Sequence, residues 1–511
     1  MPETETTDSR SLRDSLFDPV DSSVLVWLRM AVGAAVFFWT DKYLAKSSGI
    51  PNWELIFTQP EFLFKYAGFE WVRLWPGDGI YWHFIVTKIA AACLVVGLLT
   101  RVSAILVCFG IAYVLLVERL IYVNHYYLLS CAAAVLGFFP AANRYSLDCV
   151  LGIEKPKVTF ARWQLWFLRF QLGMPYMFGA VAKLNWDWLV GCQPPGILLG
   201  LQADMPVIGP YLVMPGAKEM IAYGGIAFDA LVVPMLLFSR TRWIGVAMSL
   251  GFHLTNATIL NIGVFPWFML ATLVVFFPPK AAAAVMQRVG FPHAAKATAN
   301  VDHRPSGFWS KLGLKIVILY VVIQLLLPWR PWVLPGNPSW NERGHRFAWR
   351  MMLRNKRWLT AFYIEHPETG NFLYAPSSII MTPYQRSKAG RDPELIRQAA
   401  VQVKKRVAEL GLPDSKVYAL CLVSLNGRQP VPIVDPTIDL TQVKRGWFYD
   451  DWVQQDPGRF RAKPWKFARN DWWRTMSLPA PFKPLEKETP EALQRYVEKL
   501  GAAAQKDIAT E

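Results

Sequence analysis

Long apolar runs alternate with short polar connections through the first two thirds of the chain, and a shorter, mixed rhythm follows. A membrane-crossing helix needs about 20 largely apolar residues, because an open backbone has no partner in hydrocarbon. Nine runs approach that length. They centre on Val24–Thr40, Trp82–Leu99, Val102–Val117, Tyr122–Phe139, Trp163–Ala182, Ile221–Phe238, Trp243–Leu260, Ile262–Phe277 and Leu314–Pro328. The third and eighth are short and read as tilted or partly re-entrant.

From Trp329 the chain is rich in proline and tryptophan, as a segment leaving the membrane interface is. Leu359–Ile364 and Phe372–Ala375 read as strands about a turn at His366–Asn371. Pro393–Leu410 sets Ile396, Ala399, Val403 and Val407 on one helical face. A second hairpin joins Val417–Leu425 to Pro430–Val434 through Asn426–Gly427. Glu486–Leu500 reads as a closing helix behind the start signal Thr489–Pro490, and Trp447–Trp473 takes no assignment. The pattern predicts an all-α, multi-pass membrane helical bundle of about nine spans over residues 1–328. A C-terminal extramembrane domain, β-rich and of α+β type, follows over residues 329–511.

Composition adds an orientation. The net charge of +16 invites a nucleic-acid reading, but no basic run interleaved with stacking aromatics lies outside the membrane part, so nucleic acid is not expected as a partner. The cations instead crowd alternate connections: Arg101; Arg144, Lys155, Lys157 and Arg162; Arg240 and Arg242; Lys280, Arg288, Lys296, Arg304 and Lys311. Positive connections stay inside and meet anionic membrane lipid. This predicts a cytoplasmic N-terminus and a C-terminal domain on the outer, periplasmic or lumenal, side. Met1–Ser22 is polar and mixed in charge, unlike a secretory signal. The six cysteines show no paired spacing, and a Cys192–Cys421 bridge is open only in an oxidising compartment.

Candidate chemistry is sparse. No glycine-rich phosphate loop, paired-cysteine set or zinc-protease helix is present, and there are seven histidines. What remains is polar residues inside or at the ends of spans, where they are expensive and functional by default. Asn124 and His125 begin the fourth run, Lys183 ends the fifth, and His253 sits late in the seventh. All fall at the outer membrane level. Each also has a plain reading: a span-end lysine snorkels to headgroups, and a lone histidine is more often packed and hydrogen-bonded. Arg169 shares a helical face with Tyr176 and Lys183 and is open to pairing with a carbonyl or a carboxylate in the bundle. His125 and His253 lack a third ligand near by, so no metal is predicted.

Five segments resemble one family in order. Asn124-His125-Tyr126-Tyr127-Leu128, with Ala142 to Asp148, is the first, and Leu168-Arg169-Phe170-Gln171 leading to Ala182-Lys183-Leu184-Asn185-Trp186-Asp187 the second. His253 to Asn256 with Ile262 to Pro266, Arg346 to Arg354, and Val423 to Arg428 with Val434-Asp435-Pro436 complete the set. The chain resembles vitamin K-dependent gamma-glutamyl carboxylases from about Phe17 to Trp452, including the bacterial type with a horizontally transferred transmembrane domain.

The resemblance implies a membrane enzyme of the lyase class that oxygenates reduced vitamin K, a naphthohydroquinone, to its epoxide. This is coupled to carboxylation of glutamyl residues, with O2 and CO2 as co-substrates and a glutamate-containing peptide or protein on the outer face as partner. It implies Lys183 as the general base, His125 beside the quinone, and Asn124 and His253 as cofactor-binding residues. The roles are chemically sensible: a lysine accepts a proton only as the neutral amine, which burial favours, and the quinol carries the hard chemistry. Ala182 departs from relatives that carry a second lysine there, and nothing beyond Trp452 matches. Three alternatives stay open on the residues alone: a quinone-linked oxidoreductase without carboxylation, a lipid or solute carrier, and a scaffold.

Overall fold

The computed structural model describes residues 12–458 apart from 143, 261, 289, 291–303, 305–306, 429, 445 and 447–450. The expected closing helix Glu486–Leu500 and most of Trp447–Trp473 lie outside the described residues. A helix stands at each of the nine expected positions. These are α1 Ser23–Leu44, α2 Gly79–Val96, α3 Thr100–Val117, α4 Asn124–Phe138, α5 Arg162–Lys183, α6 Ala217–Leu237, α7 Arg242–Ile259, α8 Phe265–Thr272 and α9 Phe308–Leu326.

Not all nine have the makings of a span. Among the described residues, five helices are long and apolar enough to cross a membrane: α1, α2, α3, α6, and the stretch Ser310–Val333 that contains most of α9. A sixth arises if Phe265–Phe276 and Pro279–Arg288, bent by 119° at their junction, count as one broken span. The adjacent Pro278 and Pro279 explain the break, since neither can donate to the preceding turn. At 15 residues, α4 reaches only about 22 Å at 1.5 Å per residue. Helix α5 is long but carries Arg162, Arg169 and Lys183, and α7 carries Arg242, His253 and Asn256. The protein is a membrane protein.

Close helix approach depends on two glycines. A Cβ on Gly33 would come within 2.7 Å of Val95, and one on Gly110 within 2.4 Å of Thr87. These small residues let α1 close on α2 and α3 close on α2.

The C-terminal part holds a four-stranded antiparallel sheet. Its strands are β1 Lys356–Glu365, β2 Phe372–Ala375, β3 Lys416–Leu425 and β4 Val431–Pro432, in the order β2-β1-β3-β4. Strands β1 and β3 pair along their whole length, Lys356 opposite Leu425 and Glu365 opposite Lys416. Helix α10, Pro393–Glu409, lays Ile396, Ala399, Val403 and Val407 against Phe362, Ile364, Val417 and Cys421. All six cysteines are free, Cys192 and Cys421 among them.

Two buried ionic links lock this unit to the helices. Arg428 donates to both oxygens of Asp187 at 2.7 Å, and the Asn426 amide adds 2.8 Å. Asp392 accepts from Arg119 at 2.8 Å and from Arg346 at 2.9 Å. The second and fifth resembling segments therefore meet in space, across more than two hundred residues of chain.

Candidate functional site

One cavity of about 480 Å³ lies between the helices and the C-terminal unit, and Asn124, His125, Lys183 and His253 all line it. They arrive from α4, α5 and α7. The volume is that of a small-molecule site. One side is apolar and aromatic, with Tyr126, Phe252, Phe265, Leu198, Leu199 and Ile259. The other side is cationic and comes from the C-terminal unit: Arg346, Arg350, Arg354, Lys388 and Arg391.

Lys183 ends α5 and is buried. Its Nζ donates to the Asp229 carboxylate and, at 3.4 Å, to the Gly179 carbonyl, with the Trp188 ring 5.1 Å away. His125 packs its ring on Tyr126 and Phe265, with centroids 4.6 and 5.3 Å apart. It makes no hydrogen bond among the described residues, so both ring nitrogens are available to a ligand. His253 is fully buried. Its Nε2 meets the Tyr176 hydroxyl at 2.8 Å, and its Nδ1 has no partner among the described residues. Asn124 is otherwise engaged: its Oδ1 accepts from the Tyr122 hydroxyl and its Nδ2 donates to the Arg350 carbonyl at 3.1 Å. It braces the cationic wall.

Arg346, Arg350 and Arg354 of that wall belong to a strained segment. Glu342, Phe347, Trp349 and Met352 hold φ of 61°, 59°, 53° and 59°, a left-handed region that a non-glycine residue enters at roughly 1–2 kcal/mol. Burial of the Trp349 ring and the Phe347 amide donating to Tyr122 at 2.6 Å fix it there. Arg354 and Lys356 both pair with the Glu342 carboxylate, at 2.6 and 2.7 Å. Burial alone would raise the Glu342 pKa, but Arg354 and Lys356 hold it well below the carboxylate range. Burial, Arg354 and other cations keep His345 well below its ordinary value, hence neutral. Arg350, Lys388 and Arg391 form no ion pair with a carboxylate among the described residues.

Sequence reasoning overlooked Asp229 and these cations. Asp229 had a signal, being the one carboxylate inside an apolar stretch, Ile226 to Leu237. Arg169 does not join the site: its guanidinium donates to the carbonyls of Val275 and Phe277 at 3.0 and 3.1 Å. Among the described residues no group of three or more metal-type ligands is assembled.

The HTTM domain family model matches residues 17–280, just over half of the chain. The lumenal domain of vitamin K-dependent gamma-carboxylase matches residues 309–458. The chain belongs to the gamma-carboxylase family. No solved structure matches it. Membership implies a vitamin K-dependent, carboxylase-like function, with vitamin K as the implied cofactor. The cavity suits that group: an aromatic wall for a flat ring, aliphatic side chains for an apolar tail, and an unengaged imidazole and a buried amine for ring oxygens.

Proposed function

We propose that the protein oxygenates reduced vitamin K to its epoxide in this cavity and couples this to carboxylation of a glutamyl side chain. The observation that carries the reading is a single cavity that combines an aromatic lining suited to a quinone ring with three cations, Arg350, Lys388 and Arg391, that form no ion pair among the described residues. A buried cation without a counter-charge is unfavourable, and a ligand carboxylate relieves it. Reduced vitamin K, when bound, supplies with O2 the strong base that a glutamyl γ-carbon requires.

The protein's own residues do the rest. Lys183 Nζ takes the proton of the naphthol hydroxyl. His125 hydrogen-bonds a ring oxygen as charge develops there. Arg350, Lys388 and Arg391 hold the acceptor carboxylate and orient its γ-carbon toward the ring, and the apolar wall excludes the water that would return the proton. The test is purified protein with reduced vitamin K, O2, labelled CO2 and a glutamyl peptide. Epoxide together with label in the peptide is expected. Epoxide without label favours the quinone-linked oxidoreductase, and neither product sinks the reading.

The wall also gives a pH dependence. Burial, then the charges of Arg391 and Lys42, bring the Lys388 pKa down to about 8. Lys388 is charged below that pH and neutral above it, so attraction for an acceptor carboxylate weakens as pH rises through about 8. The KM for a glutamyl peptide is expected to climb across that pH, and Lys388→Met should flatten the climb while leaving epoxide formation alone. A wild-type KM that stays level there removes Lys388 from the acceptor site.

A further inference from the structure

The proposed reaction, on which this inference rests, delivers a proton to Lys183, yet the geometry around Lys183 is that of an ammonium. Its Nζ faces a carboxylate, a carbonyl oxygen and an aromatic ring, and each of these favours a cation. A protonated lysine has three donors and no acceptor. It can receive a proton only by giving one up.

Asp229 is placed to take it. Its carboxylate and Lys183 Nζ are both buried, at 3% and 5% side-chain exposure, and a carboxylate within a span is costly unless it serves a purpose. Gly179 lies one helical turn before Lys183, and a Cβ there would come within 2.7 Å of Asp229 Oδ2. The missing side chain is what admits the carboxylate to α5. Asp229 also lines the cavity.

We propose that Asp229 is the final proton acceptor of the site, acting through Lys183. As Nζ takes the proton of the bound hydroquinone, it passes one of its own to Asp229 Oδ2. One O–H bond breaks on the hydroquinone, one N–H forms and another breaks at Nζ, and one O–H forms on Asp229. The negative charge moves from the carboxylate to the hydroquinone oxygen, and Lys183 is an ammonium before and after. The cavity gains no net charge and needs no outside acceptor. In this scheme Asp229 positions and discharges Lys183, and Lys183 is the group that touches the substrate.

The test is Asp229→Asn, which keeps the shape and a hydrogen-bond acceptor for Lys183 but cannot take a proton. The kcat for epoxide formation should fall on the order of 10²–10⁴-fold with KM for reduced vitamin K unchanged, and Asp229→Glu should recover part of the loss. A second readout needs no turnover and separates proton transfer from folding. Without oxygen, adding reduced vitamin K should raise a carboxylic-acid carbonyl band in the infrared difference spectrum of the wild type, absent from Asp229→Asn. Wild-type turnover in Asp229→Asn, as expected of an amine freed from its counter-ion and acting alone, overturns the proposal, as does absence of the band in the wild type. If the wild type makes no epoxide, the proposed function falls instead, and the infrared band alone then decides whether the pair moves a proton.

Discussion

Lys183→Ala is expected to lower epoxide formation on the order of 10²–10⁴-fold, the range that removal of a general base produces. The substitution also leaves Asp229 buried without its partner, and breaking a buried pair costs about 3–5 kcal/mol. Loss of activity from this variant alone would therefore mix chemistry with folding. Lys183→Arg separates them. A guanidinium keeps the charge for Asp229 and is never deprotonated in a protein, so this variant should fold like the wild type and still make no epoxide. Epoxide formation by the two variants, read beside their thermal unfolding in detergent, checks the assignment. If Lys183→Arg turns over at the wild-type rate, the cation and not a proton transfer is what the site needs. If both variants are unaffected, Lys183 is a snorkelling or structural lysine, and the carrier and scaffold readings regain ground.

How much of this was readable beforehand follows from the range of the interactions involved. Period and length placed a helix at all nine positions, because hydropathy over a window is a local property. Helix α10 was readable for the same reason: Ile396, Ala399, Val403 and Val407 are all buried. The grouping of His125, Lys183 and His253 followed from counting membrane levels, and one cavity does hold them. The number of true spans was harder. Polar residues in α5 and α7 are sheltered by neighbouring helices, and a window over a single run cannot register shelter. Two separate hairpins were read where one sheet exists, since the β1–β3 pairing joins Thr360 to Cys421, a partner no local signal announces. The cationic wall was illegible in the same way. Arg350 lines the cavity from a segment in which Glu342, Phe347, Trp349 and Met352 take up left-handed backbone positions held by Tyr122 and the buried Trp349, and Arg391 reaches it from the turn just before α10. Asp229 was legible, as the one carboxylate within the apolar stretch from Ile226 to Leu237.

Asp392→Ala is expected to be the most destabilising single change outside the helices. The Asp392 carboxylate is 1% exposed and binds two buried guanidiniums, those of Arg119 and Arg346. It also caps α10, accepting from the Glu394 amide at 3.0 Å. Removing it strands two cations, at about 3–5 kcal/mol for a broken buried pair, and a lost cap adds about 1 kcal/mol. Burial alone would raise the Asp392 pKa, but Arg119 and Arg346 outweigh burial and lower it. Its contribution is therefore fully present above the ordinary aspartate value of about 3.9 and is lost as pH falls below that toward the depressed native value. Thermal unfolding of purified protein at neutral pH should show a large drop in midpoint for Asp392→Ala, a difference that narrows in acid. The triple replacement Arg119→Leu, Asp392→Leu and Arg346→Met should lie much nearer the wild type, because a packed apolar cluster carries no desolvation penalty. Arg346 also lines the cavity, so the single variant should loosen the cationic wall and raise KM for a glutamyl peptide under conditions where the protein is still folded. If Asp392→Ala unfolds at the wild-type midpoint, the Arg119–Asp392–Arg346 link is not what joins the C-terminal unit to the helices, and of the two buried ionic links only Asp187–Arg428 does so.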